Sequence, residues 1–386
     1  MLAILAPGQG AQREGFLSPW LSLAGVSEQL AELSDAAGID LIAAGTTMSD
    51  AEITDTAIAQ PLIVAASLMS AGQLQNLPRA TVFAGHSVGE FAASALAGVL
   101  TPRDAVSLVA TRGSAMAQAS ASPLGGMTAI LGGDAGEVAA AIEAAGAYVA
   151  NHNAKGQVVA AGTAESLERL AAAPPAGARL RPLAVAGAFH TDLMAAARAA
   201  IATAARNVTA SDPVAAVVSN ADGALVSSGT EMLDRLVAQV CAPVRWDLCM
   251  QTLGSIGVTA TIELAPAGTL TALIRRELPD VTALALRTPE DLEGAAALID
   301  EHGAELTDIG LPWQLLVAPA RGTVSLVDAT DGPLAAGDVV VRVTTHTEDL
   351  EVRAKRAGHL VEWLVQDGDP VNAGQPLARV SAEVFA

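Results

Sequence analysis

Gly85-His86-Ser87-Val88-Gly89 places a serine between two glycines, each two residues away. Thr81 to Ala84, before it, is a short β-branched and aromatic run that reads as a buried strand. After it, Val88, Phe91, Ala92, Ala95, Leu96 and Val99 recur at helical spacing, and Gly98 stands where a helix would stop. Strand, G-x-S-x-G turn and helix together make a nucleophile elbow. Such a turn is so tight that only glycine fits on either side. It lifts the Ser87 hydroxyl over the strand end, where a helix N-terminus favours negative charge. An oxyanion forms there when serine attacks an ester or thioester.

A serine nucleophile needs a base. The chain has six histidines. His302 falls in a linker region, and His346 and His359 in a C-terminal β-rich stretch. His86 would point away from its neighbour Ser87, and His152 sits between Asn151 and Asn153 in a separate segment. His190, after a glycine-rich turn, is the candidate base. Arg112 follows on the next helix. It reads either as a helix-end arginine or as a guanidinium fork for a substrate carboxylate, and composition does not decide between them. Pro7-Gly8-Gln9-Gly10 follows the apolar run Met1 to Ala6. It lacks the third glycine and the lysine of a phosphate loop, but a loop at a strand's carboxyl end can offer an N–H to an oxyanion.

The elements that must hold these residues read as an α/β chain. The 386 residues predict at least two domains, and 51% hydrophobic residues supply a sizeable core. Residues 1–124 and 187–288 alternate strands and helices. Residues 125–186 read β-α-β-β-α-β, a ferredoxin-like insert. Residues 289–314 read as a helix and linker, with Gly310 to Pro312 as the link. Residues 315–386 read as short strands with glycine and proline turns in two loose half-repeats, a small barrel or sandwich.

A net charge of -20 argues against nucleic acid and anionic membrane as partners. No apolar run reaches membrane-span length and no basic signal head is evident, so a cytoplasmic location is expected. Cys241 and Cys249 make no disulfide framework, and no cluster has metal-ligand spacing. Lys155 and Lys355 are the only lysines. Recognition of anionic groups therefore falls to arginine.

Seven motifs in register carry a family resemblance: Pro7–Gly10, Gly85–Glu90, Arg112-Gly113, Asn151–Asn153, Ala188–His190, Ser219–Asp222 and Pro243–Trp246. Over about residues 1–290 the chain resembles the malonyl-CoA:acyl carrier protein transacylases of fatty acid and polyketide synthesis. The resemblance implies a hydrolase-like α/β core. It implies Ser87 as nucleophile, His190 as base and the N–H groups of Gln9 and Val88 as oxyanion hole. It implies Arg112 as partner of the malonyl carboxylate, with Met116, Asn151, Phe189 and Asn220 also at the substrate. A backbone carbonyl near the P-V-x-W motif would orient the histidine, which points to Arg245. The aromatic Phe189 implies malonyl over methylmalonyl. Arg275 and Arg276 are docking candidates for an acidic acyl carrier protein, or else two solvated arginines. A serine hydrolase, a transacylase for another acyl-CoA, and a scaffold without turnover are the competing readings.

The C-terminal stretch resembles a biotinyl/lipoyl carrier domain, through Gly337–Val343, Leu350–Ala354 and Asp367–Val371. Thr347 falls at the acceptor-lysine position, and Lys355 lies beyond the next strand. The expectation is an unmodified domain without biotin or lipoate, and its partner is not legible in the sequence.

Overall fold

The computed structural model describes residues 1–303 and 313–382, apart from 79, 122–124, 186, 328–333, 346–347, 355–356 and 373–374. The chain divides into two compact units, 1–306 and 307–386.

In the first unit the strands are β1 Leu2–Ala6, β2 Val82–Gly85, β3 Gly125–Gly132, β4 Tyr148–Ala154, β5 Gln157–Thr163, β6 Ala178–Pro182, β7 Ala216–Val218, β8 Leu225–Val226, β9 Val244–Arg245, β10 Ala260–Glu263 and β11 Thr282–Ala285. The larger sheet has the order β11-β10-β1-β2-β7-β8, parallel except for the β7–β8 pair. All five residues of β1 are buried. Leu2, Ile4 and Ala6 join one apolar cluster, while Ala3 and Leu5 join another with Trp246, Leu270 and Leu273. Alternation of side chains across the pleat feeds both layers, which explains an uninterrupted apolar run. Helix Thr56–Ala71 is buried along most of its length and packs against Pro102–Ala119.

The smaller sheet has the order β6-β3-β5-β4-β9. Its first four strands pair antiparallel, and β9 adds in parallel through Asn151↔Val244. Helices Ala135–Ala144 and Ala164–Ala172 bury Val138, Ile142 and Leu170 against Ile130 and Ala160. The β9 pairing ties residues 125–186 to the main body at the place where the site forms.

Helix Leu292–His302, within the stretch read from the sequence as helix and linker, belongs to the first unit. Ala295, Leu298 and Ile299 are apolar at helical spacing and close the main core.

The second unit contains β12 Trp313–Val317, β13 Gly322–Leu326, β14 Val339–Thr344, β15 Asp349–Arg353, β16 Gly358–Trp363, β17 Pro370–Val371 and β18 Pro376–Ala382. They form two antiparallel sheets, β12-β18-β16 and β15-β14-β13-β17. Val324, Val341, Val343, Leu377 and Val380 are buried among them. Strands β14 and β15 form a hairpin, with Thr344 opposite Asp349 and the Thr345 N–H donating to the Glu348 carbonyl at 2.9 Å. Thr347, Lys355 and the stretch Gly310 to Pro312 lie outside the described residues.

Candidate active site

Strand β2 ends at Gly85 and helix Gly89–Leu96 begins four residues later. A Cβ on Gly85 would overlap the Gly89 carbonyl, and one on Gly89 would overlap the Ala6 carbonyl. The glycine spacing is therefore a steric demand of the turn. Ser87 sits at φ 52°, a left-handed conformation that costs a non-glycine residue about 1–2 kcal/mol. Two side chains hold it there. Asn220 Oδ1 accepts the Ser87 N–H at 2.8 Å, and Gln239 Nε2 donates to the Ser87 carbonyl at 3.0 Å.

His190, itself at φ 61°, brings Nε2 to 2.7 Å from Ser87 Oγ. Its Nδ1 lies 2.8 Å from the Gln239 carbonyl. A carbonyl can only accept, so Nδ1 carries the proton and Nε2 presents its lone pair to the serine hydroxyl. Burial, aided by the nearby Arg112 charge, pushes the imidazole down to about 3, so it is neutral at physiological pH.

Arg112 is 1% exposed. Its Nη1 donates to Gln60 Oε1 at 2.7 Å, and its Nη2 donates to Gln239 Oε1 at 3.0 Å and reaches Ser87 Oγ at 3.4 Å. Its Nε has no partner among the described residues. Burial brings the guanidinium down to about 10, which leaves it charged at neutral pH. The acceptors in direct contact with it are all neutral, and a buried cation so placed calls for an anion. The adjoining cavity, about 230 Å³, can supply the space. Ser87, His190, Gln60, Met116, Asn151 and Phe189 all line it.

Two N–H groups border the same space. Those of Gln9 and Val88 have no hydrogen-bond partner among the described residues. The Gln9 side chain is held by the Thr54 carbonyl at 3.1 Å, which fixes the loop after β1.

Residues 5–295 match the acyl transferase domain family. The malonyl CoA-acyl carrier protein transacylase of Mycobacterium tuberculosis is 52% identical over 302 residues, covering 77% of this chain and all of that protein. Its counterpart in Escherichia coli K12 is 37% identical over 305 residues, with 77% and 99% covered. The crystal structure of MCAT from Mycobacterium tuberculosis superposes with a TM-score of 0.74 at 52% identity, covering 77% of this chain and 99% of that one. A type II PKS acyl-carrier protein in complex with its malonyl-transacylase gives 0.71 at 32% identity, with 77% and 99% covered. The chain belongs to the malonyl CoA-acyl carrier protein transacylase family.

Against this transacylase family assignment, two sequence expectations need correction. Arg245 does not orient the histidine. Its guanidinium pairs with Asp247 at 2.8 and 2.9 Å, and the orienting carbonyl is that of Gln239, six residues earlier. Gln239 opens a 3-10 turn just after helix Gly229–Ala238, where terminal carbonyls lack partners within the helix. Nor does Asn220 face the substrate. It is fully buried beneath the elbow, with Nδ2 donating to the Gly85 carbonyl at 2.7 Å while Oδ1 holds Ser87.

The sequence reading missed Gln239, Glu90 and Gln60. Glu90 is 1% exposed, accepts the Asn220 N–H at 2.6 Å through Oε1, and accepts from Gln239 Nε2 through Oε2. Burial pushes its carboxyl up to about 7. The signal for Glu90 was present, as an acid in the first turn of an otherwise apolar helix. Gln239, in an ordinary amphipathic helix end, offered none.

The two docking candidates sit differently. Helix Thr269–Glu277 contributes Thr269, Leu270 and Leu273 to the cavity wall. Arg276 Nη1 donates to Gln157 Oε1 at 2.7 Å, and Gln157 also lines the cavity, so Arg276 stands at its rim. Arg275 turns toward β11 and donates to the Ala283 carbonyl at 2.8 Å. Among the described residues no group of acids, histidines and cysteines could hold a metal ion.

Proposed function

We infer that the protein is an acyl carrier protein S-malonyltransferase, moving malonyl from malonyl-CoA to the phosphopantetheine thiol of a carrier protein. The observation that carries this reading is Arg112: a buried, charged guanidinium with no acidic partner in contact, 3.4 Å from the serine that would carry the acyl group. A hydrolase of neutral esters has no use for that charge. A scaffold without turnover has no use for a serine and a neutral histidine at 2.7 Å.

The geometry supports the following steps. His190 Nε2 takes the Ser87 proton as Oγ attacks the thioester carbonyl. The N–H groups of Gln9 and Val88 receive the oxyanion, whose stabilisation is the largest single contribution in such reactions. The C–S bond breaks, and the coenzyme A sulfur leaves with the proton from His190. The carrier thiol then gives its proton to His190 and attacks the malonyl ester. Ser87 Oγ leaves and recovers the proton. Throughout, Arg112 grips the carboxylate bidentately.

Phe189 narrows the cavity beside the acyl group, supporting malonyl over methylmalonyl. Arg276 at the rim, whose Nε is paired with Glu277 at 2.9 Å, supplies the guanidinium that would meet an acidic carrier on an otherwise acidic chain. The solved complex of a malonyl-transacylase with its acyl-carrier protein supports that class of partner. Fatty acid synthesis is the pathway of the reading, with polyketide synthesis the alternative supply route. In residues 125–186 the strand order β6-β3-β5-β4, with two helices, supports the ferredoxin-like description. The two antiparallel sheets of the second unit support the biotinyl/lipoyl-like description. With Thr347 in place of a lysine, that unit would carry no amide-linked cofactor and would serve docking or assembly. No helix among the described residues is long and apolar enough to cross a membrane, and a cytoplasmic setting fits the substrates.

The test is transfer from malonyl-CoA to phosphopantetheinylated carrier protein, in competition with acetyl-CoA. Malonyl-carrier as the dominant product supports the reading. Hydrolysis without transfer, or equal use of acetyl, contradicts it.

A further inference from the structure

Two donors face the two oxygens of the Glu90 carboxylate: the Asn220 backbone N–H and the Gln239 amide nitrogen. With Nε2 drawn to Glu90 and to the Ser87 carbonyl, the Gln239 amide must turn Oε1 to Arg112 Nη2, at 3.0 Å. Glu90 does not touch Arg112 directly; it acts on the fork through the orientation of one amide. We propose that Glu90 is a positioning residue for carboxylate selectivity, fixing the Gln239 amide so that its oxygen aims the Arg112 fork into the cavity. The proposal rests on the malonyl reading of that cavity.

The chemistry of the alternatives makes this specific. A neutral group at position 90 with one donor and one acceptor cannot accept from both Asn220 and Gln239. The Gln239 amide, then held only by the Ser87 carbonyl and Asn220 Oδ1, loses the charged acceptor that fixes it, and every turned-over copy places its NH2 against the guanidinium, donor against donor. The Gln239 carbonyl that holds His190 belongs to the backbone and does not follow this rotation. The rotation would also cost the Nε2 bond to the Ser87 carbonyl, leaving Asn220 and His190 in place at the serine, so the malonyl grip loses more than the reactivity of the serine does. Protonation of Glu90 acts in the same direction, because it turns one charged acceptor into a hydroxyl donor and weakens the hold on the Gln239 amide. The groups facing it are the Ser219 hydroxyl, Asn220, Gln239, Cys249 and the charges of Arg112 and Arg235. Burial outweighs their pull and places the carboxyl near 7, whereas His190 is held far lower. An acid-side loss between pH 8 and 6 would therefore belong to Glu90 and not to the base.

The experiment compares two reactions of the full-length chain by intact mass: acylation by malonyl-CoA, and sulfonylation of Ser87 by phenylmethylsulfonyl fluoride, which has no carboxylate. In Glu90→Gln, malonyl acylation is expected to slow roughly tenfold or more, the cost of a mispaired buried polar group, while sulfonylation slows much less. In the wild type, the ratio of the two rates should fall as pH drops through about 7, and Glu90→Gln should flatten that fall. Equal slowing of both reactions in a folded variant, or a pH-independent ratio in the wild type, would overturn the proposal. If Glu90→Gln does not fold, the wild-type pH ratio decides alone. A wild type that takes sulfonyl fluoride but no malonyl group at any pH refutes the malonyl reading itself, which separates the two failures.

Discussion

Replacing Arg112 with methionine removes the charge while keeping a long side chain in a fully buried slot. Each charge-assisted hydrogen bond contributes about 1.5–3 kcal/mol. A bidentate grip is therefore about 3–6 kcal/mol, or roughly 10²–10⁴ in rate at 1.4 kcal/mol per tenfold. The loss should fall on malonyl-CoA alone. Acetyl-CoA has no carboxylate, and in the wild type it leaves the cation at Arg112 buried and unpaired. The variant frees that site of an unmatched charge, so acetylation of Ser87 should hold or rise. The structural cost is two orphaned acceptors, Gln60 Oε1 and Gln239 Oε1, and the loss of a cation near Glu90. Unfolding temperature reports that cost independently. Rapid-quench intact mass with each thioester measures the two acylation rates on one preparation. A fall of similar size for both substrates, or no fall for malonyl, would refute the assignment of Arg112.

Other consequences are equally direct. Gly89→Ala should abolish Ser87 labelling and lower the unfolding temperature, because a Cβ there overlaps the Ala6 carbonyl; a variant with unchanged labelling would show that the turn can relax. Phe189→Ser should open the cavity and raise methylmalonyl transfer relative to malonyl by roughly tenfold, within the range one methyl group commands, measured by competition between the two thioesters. Arg276→Glu should raise the KM for carrier protein severalfold and leave the first half-reaction with malonyl-CoA intact, whereas Arg275→Glu, at a site already tied to the Ala283 carbonyl, should do less to carrier affinity.

The elbow was legible because steric demands leave a strict spacing: Gly85, Ser87 and Gly89 could be read without a neighbour in view. His190 emerged by elimination among few histidines. Arg112 was legible as a candidate only, since burial, which makes its charge informative, is a property of the packed core. The roles of Asn220 and Gln239 were not legible for the same reason. Asn220 looked like a substrate contact, yet it lies under the serine and ties β2 to the strand beside it. Gln239 meets Ser87, Glu90, Arg112 and His190 through contacts 49 to 152 residues apart in sequence, which no local pattern encodes. Arg245 was misassigned because the motif marks the right neighbourhood, while the orienting carbonyl depends on how one helix ends. The helix Leu292–His302 was legible as a helix, but that its apolar stripe closes the main core was not, because the sequence changes character just after it.

The central claim is a malonyl group carried on Ser87. Brief exposure of the wild-type chain to malonyl-CoA, followed by intact mass and peptide mapping, tests it most directly, with Ser87→Ala as control. The account predicts one malonyl group on the Ser87 peptide of the wild type, none on the variant, and its discharge on adding carrier protein. No adduct, an adduct on another residue, or equal labelling by acetyl-CoA would contradict it.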